Sequence, residues 1–227
     1  MSHTEFAEFG WKRDTERASY YVVPSGFFDM IDAFPSSFAT ILEDLHELCT
    51  LYDAQCPHGW PAIYELRIDD RQAWLESRIV DLIHTQRQSE VEDPIYMACL
   101  MATYLCTYKL STVIWEGCFL PEWTAAEILS ILSRTVHDPR WELWPEMLVW
   151  LLCVGGALAD RSATRQYARI LILDVYRDQI EGFHRDWDVI KNVLKMFVWN
   201  EQVLEPKLLL FWEEVHPDLR YHPLEWT

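Results

Sequence analysis

From Trp144 to Ala159 the chain reads WPEMLVWLLCVGGALA, and the reading of this stretch decides the fold class. Pro145 suits the first position of a helix, where its missing N–H is no loss, and the apolar residues behind it show no period-two alternation. Gly155 and Gly156 then interrupt the run. Two glycines in an apolar helix cost about 1 kcal/mol each unless something offsets them. Close packing is the expected offset, because a neighbouring helix can approach a backbone that carries no Cβ. No strand precedes the pair and the spacing is not GxGxxG, which argues against a phosphate loop.

Working outward, the pattern stays helical on both sides. A helix from Ser162 carries Tyr167, Ile170, Leu171, Leu173 and Val175 with charged residues between them. Asp186 is placed to cap DWDVIKNVLKMFVWNE, and PKLLLFWEEV starts at Pro206 and ends near Pro217. Upstream, Phe38, Ile41, Leu42, Leu45, Leu48, Cys49 and Tyr52 recur at three and four after Pro35, an amphipathic helix. CPHGWP at 56–61 reads as a loop. Asp69 or Asp70 is expected to cap the next helix, with Trp74, Leu75, Ile79, Leu82 and Ile83 on its apolar stripe. Asp93-Pro94 opens what reads as the longest helix, apolar all round and so central. Thr124-Ala125-Ala126-Glu127 has the form of a capping box, and HDPR at 137–140 breaks the pattern.

The expectation is an all-α fold, a single multi-helix domain of about seven or eight helices over residues 34–227, preceded by an N-terminal extension over 1–33. Seven Gly, 11 scattered Pro and no low-complexity run leave no obvious linker, and 50% hydrophobic residues supply a core.

Charge narrows the function classes. With 36 acidic against 19 basic residues the formal charge is −17, a field that repels phosphates and anionic membranes, so direct nucleic-acid binding is not expected. The run from Pro94 to Trp115 is long enough to cross a bilayer. Lys109 inside it costs on the order of 2.5–3.5 kcal/mol there, which favours a buried helix and no membrane. Six single Cys without a CxxC pair, and a polar N-terminus without a secretory signal, point to reduced thiols in an intracellular protein. Cys99 and Cys106 are read as core fillers. Cys56-Pro57-His58 is the nearest approach to metal-ligand spacing, and it is a weak one.

No catalytic, cofactor-binding or metal site is expected, and the chain is read as a non-enzyme. Asp69-Asp70-Arg71-Gln72-Ala73 superficially resembles a magnesium motif of isoprenoid synthases, but Ala73 stands where a further carboxylate belongs and no second metal motif follows. His137-Asp138 lies in a turn beside Pro139, and Ser36, Ser37 and Ser162 lack GxSxG context. Trp74, Trp115, Trp141, Trp144, Trp150, Trp187, Trp199 and Trp212 sit within or beside predicted helices as core residues, with a pocket for a small apolar ligand as the alternative. LLLFW, from Leu208 to Trp212, is too apolar to stay in solvent.

The stretch WPEMLVWLLCVGGALADRSATRQYARILI resembles the core signature of the fungus-specific transcription factor domain, the regulatory region behind zinc binuclear cluster DNA-binding modules. An apolar helix with Trp150 runs into Gly155, Gly156 and Ala157, then into Arg161, Arg165 and Tyr167. Trp187, Val189, Ile190, Leu194 and Phe197-Val198-Trp199 are similar to the family's next helix, Phe211-Trp212-Glu213-Glu214-Val215 to its closing one, and RQAWLESRIVDLI to the one before the long apolar helix. The likeness runs from Leu66 to Val215, and it makes Trp150, Gly155, Gly156 and Ala157 a helix-packing signature. It implies transcription regulation in the nucleus, with the cytoplasm as alternative, through partners in the transcription machinery, a DNA-binding subunit, a second copy of the chain or a sensed metabolite. The chain departs from the family in having no basic six-cysteine module and a shorter helical region, so a longer parent protein or a relative without that half is expected. The competing readings are an isoprenoid-synthase-like enzyme of secondary metabolism and a scaffold that only dimerises.

Overall fold

The computed structural model describes residues 23–54, 62–110, 118–183 and 186–217, with the side chains of all of them except 62–65. The segments Cys56–Pro61 and the C-terminal end of the apolar run past Leu110, Trp115 included, lie outside the described residues.

Among the described residues the protein is all-α, without a strand, and forms nine α-helices of which eight have seven residues or more. In chain order they are α1 (Ser36–Asp53), α2 (Ala62–Gln88), α3 (Pro94–Leu110), α4 (Phe119–Arg134), the single turn α5 (Arg140–Leu143), α6 (Pro145–Ala157), α7 (Ser162–Ile170), α8 (Trp187–Leu194) and α9 (Leu204–Val215). None is long and apolar enough to cross a membrane.

The two helices without a polar face are the centre. Fourteen residues of α3 are buried, and α6 is buried from Met147 to Ala157. Around them, α3 packs on α2 and α4, and α6 packs on α4, α7, α8 and α9. α1 behaves as its periodicity requires: Phe38, Ile41, Leu42, Leu45, Leu48 and Cys49 form its buried stripe. Asp93 opens α3, its Oδ1 accepting from the Ile95 N–H at 2.9 Å, and Asp186 opens α8 by accepting from Asp188 at 2.9 Å. Pro145 occupies the start of α6. Lys109 near the end of α3 reaches Asp160 at 3.0 Å, a polar exit consistent with a buried helix of a globular protein.

Several expectations are corrected. Asp69 and Asp70 do not cap α2; the helix begins at Ala62 and both aspartates are exposed in its middle. With 27 residues α2, not α3 with 17, is the longest helix among the described residues. Thr124-Ala125-Ala126-Glu127 is not a capping box. α4 starts earlier, at Phe119, and the Thr124 hydroxyl bonds back to the Leu120 carbonyl at 2.8 Å, as a mid-helix Thr does. Trp74 leaves the apolar stripe of α2 and is 41% exposed, whereas Leu75 and Ile79 are fully buried. On α7, Tyr167 and Ile170 face outward while Ala168, Leu171 and Ile172 are buried.

Beyond Ile170 the helix becomes irregular. Leu171–Val175 continues α7 as a π-helical turn, closed by the Tyr176 N–H on the Leu171 carbonyl at 2.8 Å. The extra residue per turn re-aims the chain so that Tyr176 enters the core. Its ring meets Trp141 edge-on at 6.5 Å and its hydroxyl donates to the Leu132 carbonyl at 2.6 Å.

The packed chain also starts before residue 34. Short 3-10 turns at Ser25–Phe27 and Ile31–Ala33 bury Phe27 and Met30, so this part of the expected extension packs against the core. Phe27 sits at the meeting point of three rings, 5.9 Å from Phe38, 5.4 Å from Trp150 and 5.1 Å from Phe197, each edge-on.

Candidate functional site

The residues that carry the signature line α6 and pack on three different neighbours. Trp150, fully buried on α6, stacks on Phe197 with centroids 5.2 Å apart and planes 12° apart. One turn and a half further along α6, a Cβ on Gly155 would stand 2.9 Å from Leu129 Cδ2 of α4. A Cβ on Gly156 would stand 2.1 Å from Cζ of Phe211 on α9. Real Cβ atoms do not approach so closely, so the Phe211 ring occupies the place of the missing side chain. The helix-propensity cost of the glycine is thus exchanged for direct contact between a helix backbone and an aromatic face.

Arg165 of α7 closes this junction. Its guanidinium grips the Glu214 carboxylate of α9 through two bonds, 3.0 Å from Nε and 2.7 Å from Nη2. It lies over the Phe211 ring at 5.6 Å, and Nη1 donates to the Ala157 carbonyl at 3.3 Å. One side chain thereby ties the C-terminal end of α6 to α7 and α9, with the two-pronged geometry that only arginine provides.

The chain between α6 and α7 is held from the other side by Glu122 of α4. Its carboxylate accepts from the backbone N–H groups of Asp160 (3.0 Å) and Arg161 (2.8 Å) and from the Thr164 hydroxyl. The N-terminus of α7 is therefore capped by a side chain from another helix, since its own N-cap residue, Arg161, makes no side-chain cap.

A third polar junction joins the two ends of the described chain. Asn200, fully buried, donates to the Cys49 carbonyl at 3.2 Å and to Asp53 Oδ1 at 2.8 Å, and accepts from the Val203 N–H at 2.7 Å. Asp53 also receives the Glu201 N–H at 2.9 Å.

Where chemistry was sought, the structure offers the following. Asp69 and Asp70 lie on the exposed side of α2. Asp138 sits in the turn before α5, bound through both oxygens to Arg140, which also reaches Asp93 at 2.8 Å. Those bonds hold the Asp138 carboxyl below its usual range. Cys49, Cys99, Cys106 and Cys153 are buried, and burial pushes every one of these thiols up, Cys153 to about 12. At neutral pH they are protonated core fillers and not nucleophiles. Among the described residues no three His, Cys, Asp or Glu side chains gather as a metal set would. An apolar cavity of about 10 Å³, bounded by Leu152, Cys153, Ile180, Phe183 and Trp212, has the room of a single water.

Compared with known proteins, the chain matches no family model, no curated protein and no solved structure.

Two of these features escape sequence reasoning. The Glu122 cap and the Asn200 to Asp53 junction join residues 38–42 and 147–151 positions apart, and neither leaves a local pattern.

Proposed function

We propose that the chain is a transcription-regulatory helical domain that acts through protein contacts and does not bind DNA by itself. The observation that carries this reading is the junction itself. Of the residues of the resemblance, Gly156, Ala157, Arg165, Phe211 and Glu214 tie α6, α7 and α9 together, while Trp150 packs on Phe197 and Gly155 on Leu129 of α4, and Tyr167 and Val189 stay exposed. A likeness made of packing residues has weight when those residues pack on one another. The charge of −17 adds support, since it disfavours phosphate-backbone binding by these residues. The cavity beside Trp212, about 10 Å³, is itself far too small for a metabolite.

The test is recruitment. Fused to a heterologous DNA-binding module, the folded chain is expected to raise or lower transcription of a reporter carrying that module's site in at least one growth condition. A well-expressed fusion that leaves the reporter unchanged under every condition would overturn the reading.

A further inference from the structure

α2 carries two stripes where a surface helix needs one. Its buried side is formed by Leu75 and Ile79, flanked by the partly buried Ile68, Leu82 and Ile83. On the opposite side stand Leu66 (56% exposed), Trp74 (41%) and Val80 (47%), with exposed Asp69, Asp70 and Asp81 among them. At 100° per residue these six positions fall within about 140° of the helix circumference, and from Leu66 to Val80 they extend about 21 Å. Leu66 and Val80 stand within about 40° of one another and Trp74 about 80° to one side of Leu66, three large apolar side chains among acids that are not needed by the core, which is already satisfied on the far side.

We propose that this row is a docking surface for a basic amphipathic helix of a partner protein. Charge selects the occupant. Among the described residues, the exposed or half-buried arginines of α2 stand at its edges: Arg67, Arg78, which lies 4.4 Å over the Trp74 ring and pairs with Asp44, and Arg87, which lies over Trp123. The row itself presents Asp69, Asp70 and Asp81, on a chain of net charge −17. A nucleic acid or an anionic membrane is repelled by it, and a second copy would set the same aspartates against each other. A partner helix with apolar residues at spacings of three and four, flanked by Lys or Arg, meets both requirements: the apolar anchors cover Leu66, Trp74 and Val80, and the cations reach the aspartates. Arg78 covers one face of Trp74, which fixes the indole in place as an anchor. The inference stands on α2 alone and is independent of the transcriptional reading.

The experiment uses the whole chain and a fluorescent peptide with Leu at helical spacing and Lys elsewhere, followed by anisotropy. A scrambled peptide of the same composition is the control. Saturable binding is expected, weakened at least about tenfold by Trp74→Ala and by the pair Asp70→Asn with Asp81→Asn, the latter also losing the salt dependence. Because these side chains are exposed, the melting temperature of the variants stays close to that of the parent and reports that they fold. Absence of saturable binding, equal binding of the scrambled peptide, or binding untouched by both variants would overturn the proposal. A concentration-dependent dimer abolished by Trp74→Ala would overturn it in favour of a second copy.

Discussion

Gly156 of α6 lies directly beneath the ring of Phe211 of α9, so close that a Cβ would come within 2.1 Å of Cζ. The two glycines of the pair are consequently not equal. At Gly155 the nearest atom is the end of the Leu129 side chain, at 2.9 Å, which can swing aside. Gly156→Ala is expected to destabilise by about 1–3 kcal/mol despite the roughly 1 kcal/mol gain in helix propensity. Gly155→Ala is expected to cost less, and denaturant unfolding of the two variants gives the order. Gly156→Leu should lower the melting temperature further, and an unchanged value would contradict close packing.

Arg165 holds Glu214 with two nitrogens and shares its charge with the Ala157 carbonyl. Lysine reproduces the charge but not the fork, so Arg165→Lys is expected to cost on the order of 1 kcal/mol. Glu214→Gln should cost a similar amount, with the double variant little worse than either single one. Additive losses in thermal unfolding would show that the two side chains act separately.

The cap on α7 is supplied by Glu122. Glu122→Ala removes it and is expected to cost about 0.5–2 kcal/mol, the usual range for loss of an N-cap. Native-state hydrogen exchange should show faster exchange at the Asp160 and Arg161 amides while α1 is unaffected. Uniform acceleration over all helices, without a local excess there, would count against the assignment.

Glu76 of α2 makes a pH prediction of unusual sign. Burial raises its carboxyl above the usual range, against the opposing effect of the Gln72 amide, which donates to it at 3.0 Å. An acid with a raised pKa in the folded state binds its proton more tightly there than in the unfolded chain. Its contribution is therefore lost as pH rises from the unfolded pKa through the folded one. Glu76→Gln keeps an acceptor for Gln72 and has nothing to ionise. It is expected to be more stable than the parent at neutral pH, with the difference vanishing in acid; a variant equally or less stable at neutral pH would refute this. Asp138 has the opposite sign, its Arg140 bonds lending stability that is lost as pH falls.

Much of this architecture was legible because helix identity follows from local chemistry. The absence of a polar face marks α3 as central, and Asp93, Pro145 and Asp186 mark true helix starts, whereas the equal burial of α6 is a finding of the structure. Cap-like residues inside helices misled for a physical reason. A threonine bonds to the carbonyl four residues back as readily as it caps, and aspartates on an exposed face carry no helix-start information. Trp74 was placed in the core by type, whereas burial is decided by angle around α2. At the junction, the glycine pair signalled a close neighbour but could not name Phe211, and Asn200 could not announce its bond to Cys49 across 151 residues. Such tertiary pairings leave no periodic trace in one sequence.

α6 and α9 are locked together at Gly156, and a double-mutant cycle between Gly156 and Phe211 tests this most directly. In the parent background Gly156→Ala is expected to destabilise. In a Phe211→Ala background, itself weakened by about 3–5 kcal/mol through the lost ring, the added methyl enters vacated space and the same change should become neutral or stabilising by up to about 1 kcal/mol. That reversal of sign is the predicted result. An equal cost of Gly156→Ala in both backgrounds would contradict it.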